Sequence, residues 1–84
     1  MIYALLILRR AQKELANLDK IEYERVRDAI TSLAENPRPP GCKKLIAREG
    51  WRIRIGNYRV IFEVDDIKRE VTVMHIGHRR DIYS

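Results

Sequence analysis

The 84-residue sequence contains one cysteine and two histidines. Cys42 alone cannot close an internal disulfide, which fits a reducing cytoplasm. It also excludes a cysteine-built zinc site, and His75 and His78 have no cysteine pair near them to complete one. No metal and no other cofactor is expected. Long apolar runs are lacking too, since nothing approaches the ~18–20 residues that span a bilayer. The apolar opening, residues 1–8, has neither the basic flank nor the small-residue cleavage site of a signal peptide. These absences predict a cytoplasmic protein with no membrane association. Repeats, linkers and low-complexity segments are also missing, so residues 1–84 read as a single domain. A chain of this size buries roughly 60–68% of the surface its unfolded form exposes, enough for one modest core.

What is present in excess is positive charge. Seventeen basic residues face twelve acidic ones, for a net charge of +5, and twelve of the seventeen are arginines. Residues 1–37 are neutral overall and residues 60–84 carry −1. Residues 38–59 hold Arg38, Lys43, Lys44, Arg48, Arg52, Arg54 and Arg59 against Glu49 alone. A solvated face usually mixes signs, and membrane attachment would call for a basic amphipathic helix, whereas this block reads as loop and strand. Guanidinium offers phosphate a planar, bidentate fork. Nucleic acid is therefore the expected partner.

The hydrophobic period locates the elements. Residues 1–8 read as a strand covered on both faces. Ala11, Leu15 and Leu18 mark a short amphipathic helix over 10–18. Asp19 followed by Glu22 resembles a capping box opening a second helix, with Tyr23, Val26, Ile30 and Leu33 as its apolar stripe. Asn36-Pro37 and Pro39-Pro40-Gly41 end it. From Leu45 the period becomes two. Residues 51–55 alternate apolar and cationic, Gly56-Asn57 signals a tight turn, and residues 58–64 and 70–76 are the next strands. The expected fold is α+β, in the order β-α-α-β-β-β, with a two-helix antiparallel hairpin packed on a small, mostly antiparallel sheet.

Around Gly56-Asn57, Ile55 should face Tyr58, Ile53 should face Val60 and Trp51 should face Phe62, all on an apolar side. The other side then sets Arg54 against Arg59 and Arg52 against Ile61. Like charges directly opposed in a sheet destabilise it. Three convergent arginines without intervening acids point to a bound phosphate backbone rather than a merely solvated hairpin. A two-residue turn at Asp66-Ile67 would extend the register and place His75 on the core side, as a hydrogen-bonded residue, with Thr72 and Met74 on the arginine face. The tail adds Gly77, His78, Arg79, Arg80 and Tyr83 near the same edge. Glycine permits a bulge there, able to turn Arg79 onto the arginine face where strict alternation would favour His78 and Arg80. Leu6 and Leu8 read as core, the alternative being a partner contact.

Taken in order, these residues resemble the RelE branch of the RelE/ParE toxin superfamily. The resemblance rests on the N-terminal strand running into Arg10-Ala11-Gln12-Lys13-Glu14-Leu15, on the Lys43-Lys44-Leu45 step, on residues 51–59 (WRIRIGNYR) and on residues 77–83 (GHRRDIY), and it spans essentially the whole chain. It implies a RelE-like fold and a ribosome-dependent endoribonuclease that cuts messenger RNA in the decoding site. It also implies a cognate RelB-like antitoxin, with DNA met only through the antitoxin complex. The family's two basic hairpin positions fall on Arg52 and Arg54, its turn arginine on Arg59, its tail arginine on Arg79 and its C-terminal tyrosine on Tyr83.

In the implied reaction a ribose 2′-hydroxyl attacks the neighbouring phosphate, and fixed cations stabilise the charge that gathers on its oxygens. Arg54 and Arg59 are the expected clamp, Arg79 the group beside the departing 5′-oxygen, and Tyr83 a base-stacking or proton-transferring residue. RNA contacts are expected from Arg52, Lys43, Lys44, Arg48 and Arg80. The sequence departs from the family in one respect. Its hairpin positions are often lysines, one of which can lose a proton and act as a base, and arginine effectively cannot. His78 or Tyr83 must then serve, or the ribosome supplies the environment. Two other readings fit the same scaffold, a ParE-like gyrase poison and an RNA-binding module without catalysis.

Overall fold

A computed structural model describes residues 2–46 and 48–78. Strand β1 (Ala4–Ile7) leads into helices α1 (Arg9–Ala16) and α2 (Lys20–Ser32), followed by β2 (Lys43–Lys44), β3 (Trp51–Ile55), β4 (Tyr58–Asp65) and β5 (Glu70–His78). All strands join one sheet in the order β1-β5-β4-β3-β2. β1 runs parallel to β5, and the other pairings are antiparallel. This is the expected α+β fold, with the short β2 added ahead of the hairpin. Among the described residues, no helix is long and apolar enough to cross a membrane.

Local chemistry accounts for the helices. The Asp19 carboxylate accepts the Glu22 N–H at 3.0 Å, satisfying one of the donors that a helix start leaves open. The three-four spacing of Val26, Ile30 and Leu33 brings them onto one stripe, each no more than 2% exposed. They meet Ala11 of α1, Val60 and Phe62 of β4, and Val71, Val73 and Ile76 of β5 in a single core. α2 ends where the Leu33 and Ala34 N–H groups turn to carbonyls three residues back. There Ala34 also accepts the Tyr3 N–H at 2.7 Å, tying the chain's start to the helix end.

Two expectations need correction. The apolar opening predicts a strand covered on both faces, but β1 is a four-residue edge strand whose residues alternate between exposed and half-buried. Leu6 and Leu8 are 44% and 42% exposed, so neither belongs to the core. The reason is topological: β1 has one neighbour, β5, and the core contacts gather on one side of it. The link from β4 to β5 also differs. It is residues 66–69 rather than a two-residue turn, held by the Asp65 carboxylate accepting the Ile67 and Lys68 N–H groups at 3.0 Å each. Phe62 therefore lies opposite Val73, not Val71, and a bulge follows, after which Ile61 lies opposite His75. Met74 is the extra residue. The bulge takes His75 off the core side and puts Ile76, 2% exposed, opposite Val60.

Distant segments are also joined by a polar network that no local pattern announces. The Arg38 guanidinium grips the Asp66 carboxylate with two hydrogen bonds of 2.8 and 3.3 Å, and the Tyr3 hydroxyl donates to the same carboxylate at 2.7 Å. Arg38 also lies 5.2 Å from the centre of the Trp51 ring, and Lys44 lies 5.3 Å from it. Arg38 and, after it, the Tyr3 hydroxyl hold the Asp66 carboxyl below its ordinary value.

Two outcomes follow from this packing. Phe62→Ala removes the largest fully buried side chain and should cost about 3–5 kcal/mol in urea unfolding. Because folding lowers the Asp66 pKa, its stabilising contribution is complete above the ordinary carboxylate range and is lost as pH falls through the lowered value. Asp66→Asn should accordingly flatten the acid limb of a melting temperature against pH curve below about pH 4.

Candidate nucleic-acid interface

The β3–β4 hairpin builds the site by alternation. Trp51, Ile53 and Ile55 turn toward the helices with Phe62, Val60 and Tyr58 opposite them, in the register expected from the Gly56-Asn57 turn. Gly56 has φ +59, which a side chain would oppose, so the turn residue is dictated by the backbone. The alternate residues emerge on the other face in two rows across the sheet. One row runs Lys43, Arg52, Ile61, His75, and the next runs Arg54, Arg59, Gly77.

These rows floor an open pocket of about 240 Å³ lined by Gly41, Lys43, Arg52, Arg54 and Arg59. No acid lines it. Arg54 is exposed, and its Nε–H points to the Gly56 carbonyl at 3.4 Å. Arg52 and Arg59 are half-buried, and the Nε of Arg59 is fully covered. A half-buried guanidinium has fewer orientations to lose when it meets a phosphate. On the far side of the 45–50 loop, Gly50 (φ +120) lies so close to the Leu45 side chain and the Phe62 carbonyl that a Cβ would sit 3.1 and 3.2 Å from them. The loop is thereby pressed against β4, and the Leu45 N–H closes it onto the Gly50 carbonyl at 3.0 Å.

The structure sorts the expected site residues into groups. Arg52, Arg54, Arg59 and Lys43 come together. Lys44 does not join them: it pairs with Trp51 on the other face and lies 4.0 Å from Glu49. Arg48 is exposed in the loop, outside the pocket lining. His78 lies opposite Tyr58, and the two rings meet edge to face at 5.5 Å. The bulge at Met74 has moved His78 to the apolar side of the hairpin, away from the Arg54 and Arg59 row. Arg79, Arg80 and Tyr83 lie outside the described residues.

One cluster was only half legible. His75 is hydrogen-bonded as expected, but at the sheet edge rather than in the core. Its Nδ1 lies 2.9 and 2.8 Å from the two Glu14 oxygens, and Glu14 Oε1 also accepts the Ile76 N–H at 2.8 Å. A carboxylate only accepts, so Nδ1 carries the proton, while Nε2 faces the Arg10 guanidinium at 3.4 Å. Burial alone would raise the Glu14 carboxyl, but the Ile76 N–H, His75 and Arg10 outweigh it and hold the group below its ordinary value. Among the described residues, no cluster of three or more metal-ligating side chains occurs.

The site is thus a basic pocket on one face of a five-stranded sheet, with two helices on the other, in a small α+β domain. Residues 5–83 match the family model for the ParE toxin of the type II toxin-antitoxin system parDE. The chain belongs to this family, within the RelE/ParE superfamily, and is a RelE-type toxin. It is similar to a chain of the archaeal RelE–RelB complex from Pyrococcus horikoshii, at 27% identity over 94% of this chain and 97% of that one, with a TM-score of 0.83. A chain of the intact E. coli RelBE toxin-antitoxin complex is 28% identical over 90% and 95%, with a TM-score of 0.79. The YoeB/ParE toxin from Agrobacterium tumefaciens shares the fold at 16% identity, over 89% and 96%, with a TM-score of 0.76. Sequence comparison with curated proteins gives no match.

The opposed Arg54 and Arg59 make a stability prediction. Arg54→Thr relieves a like-charge pair and places a good strand former, so the free protein should gain about 0.2–1 kcal/mol. Thermal melts at low salt should show the gain, and it should shrink at 1 M salt.

Proposed function

We propose that this protein is a ribosome-dependent endoribonuclease that cuts messenger RNA in the decoding site and so stops translation. The observation that carries this reading is the pocket in which Lys43, Arg52, Arg54 and Arg59 converge. A phosphodiester seated there meets guanidinium forks on a rigid sheet. In the reaction the ribose 2′-oxygen bonds to phosphorus, the bond from phosphorus to the 5′-oxygen breaks, and a 2′,3′-cyclic phosphate and a 5′-hydroxyl result. Arg54 and Arg59 stabilise the charge on the phosphoryl oxygens, and Arg52 and Lys43 hold the backbone.

Arg79 assists the departing 5′-oxygen, which takes up a proton as the 2′-hydroxyl loses one. Arginine keeps its proton, so none of the three pocket arginines serves as the base. With His78 packed against Tyr58, Tyr83 is the tail residue left for proton transfer, and alignment of the substrate falls to the ribosome. The relatives crystallised as RelE–RelB complexes support a RelB-like antitoxin as the partner that silences this site.

The match to a family described as ParE toxins favours a second reading, a gyrase poison on the same scaffold. Primer extension on a defined messenger RNA, with and without programmed ribosomes, separates the two. Wild type should cut only with ribosomes, at the vacant decoding site. Arg59→Ala should lose about 10²–10³-fold in rate, Tyr83→Phe should also fall, and His78→Ala should stay within a few-fold of wild type. Toxicity that survives loss of Arg54, Arg59 and Arg79 together would sink the nuclease reading and send the protein to a gyrase-cleavage assay.

A further inference from the structure

The bulge in β5 decides what borders the arginines. Without it, the register set by Phe62 and Val73 would continue to place Met74 opposite Ile61, His75 opposite Val60 and Ile76 opposite Arg59. A polar ring would then enter the core and a branched apolar side chain would stand beside the arginine row. With Met74 as the extra residue, Ile76 enters the core opposite Val60, and Gly77, which has no side chain, takes the place next to Arg59. A shift of one residue exchanges the two faces of a strand, so this irregularity controls the composition of the whole end of β5.

A bulge needs partners for the backbone it displaces. β1 pairs with β5 only from Glu70 to Val73, and its last bond on that edge is the Leu8 N–H to the Val73 carbonyl, at 3.0 Å. Beyond that point the edge of β5 is covered from α1. Glu14 accepts the Ile76 N–H at 2.8 Å and binds the His75 ring with the same carboxylate, and Arg10 steadies that carboxylate at 3.2 Å. One side chain thus takes over the hydrogen bonding of a strand that has ended, and it does so on the two residues just past the bulge.

We infer that Glu14 is a positioning residue for the arginine pocket, fixing the β5 bulge through Ile76 and His75 so that Gly77, rather than a side chain, lies beside Arg59. Its effect on cleavage rests on the nuclease reading above, whereas its effect on register does not. Two readouts report the register: the hydrogen-exchange protection of the Ile76 amide, and the nuclear Overhauser contact between the Tyr58 and His78 rings.

Glu14→Ala should lose at least ten-fold in Ile76 protection, lose the ring contact, and cleave at least ten-fold more slowly at saturating ribosomes. Glu14→Gln keeps an oxygen for the Ile76 N–H and should restore the ring contact and most of the rate. Gly77→Val tests the same slot without disturbing Glu14. It should stay folded, because a branched residue suits a strand, yet cleave at least ten-fold more slowly. The inference is overturned if Glu14→Ala keeps both register signals, or if Gly77→Val cleaves like wild type. Should wild type itself fail to cleave with ribosomes, the nuclease reading falls and the register signals in Glu14→Ala still decide the role of Glu14.

Discussion

Strand alternation across the β3–β4 hairpin is the constraint on which the site depends. Each arginine of the pocket has core-facing residues as its chain neighbours: Ile53 and Ile55 flank Arg54, and Tyr58 and Val60 flank Arg59. The cations cannot withdraw from one another without pulling apolar side chains out of the core. Burying a side chain such as Val60 or Phe62 contributes about 1.5–3 kcal/mol, against about 0.2–1 kcal/mol for opposed like charges. Burial wins, and the repulsion persists as a property of the unliganded face. That balance lets a domain with a core this small concentrate charge on one face of its hairpin.

Two other cations of the central block, Arg38 and Lys44, serve the fold. Arg38 spends its fork on Asp66 and its flat surface on Trp51, and Lys44 covers the same ring. These contacts bring together Tyr3, the segment after α2, β3 and the β4–β5 link. The basic block therefore divides by the pleat. Lys43 and Arg52 share one face, while Lys44 and Trp51 share the other. Net charge along the chain gives no access to that division, because adjacent residues of one sign are sent to opposite sides.

Features set by neighbouring residues were legible in the sequence. The Gly56-Asn57 turn fixes the β3–β4 register within a few residues, and the Asp19 cap and the α2 stripe are equally local. The β4–β5 register was not legible, since the link closes through Asp65 rather than at a two-residue turn and the bulge is held by Glu14, far away in sequence. That one unseen contact explains why His75 and His78 changed sides together. β1 was misread for a related reason: an apolar run shows that a strand can be covered, and only the topology shows whether anything covers it. Arg52, Arg54 and Arg59 were found because their alternation lies within a single hairpin, whereas the separation of Lys44 from Lys43 depends on β2, a strand too short to recognise by pattern.

The parallel pairing of β1 with β5 joins the first described strand to the last, Ala4 beside Glu70. Such a contact closes nearly the full length of the polypeptide, and pairings of that range are slow and late to form. Until β5 exists, β1 has no neighbour, β4 has one bare edge, and the arginine row lacks its Gly77 margin. A growing chain can complete the hairpin that carries the arginines well before it can complete the surface around them. The order of strands along the chain thus puts the arginine hairpin first and its Gly77 margin last.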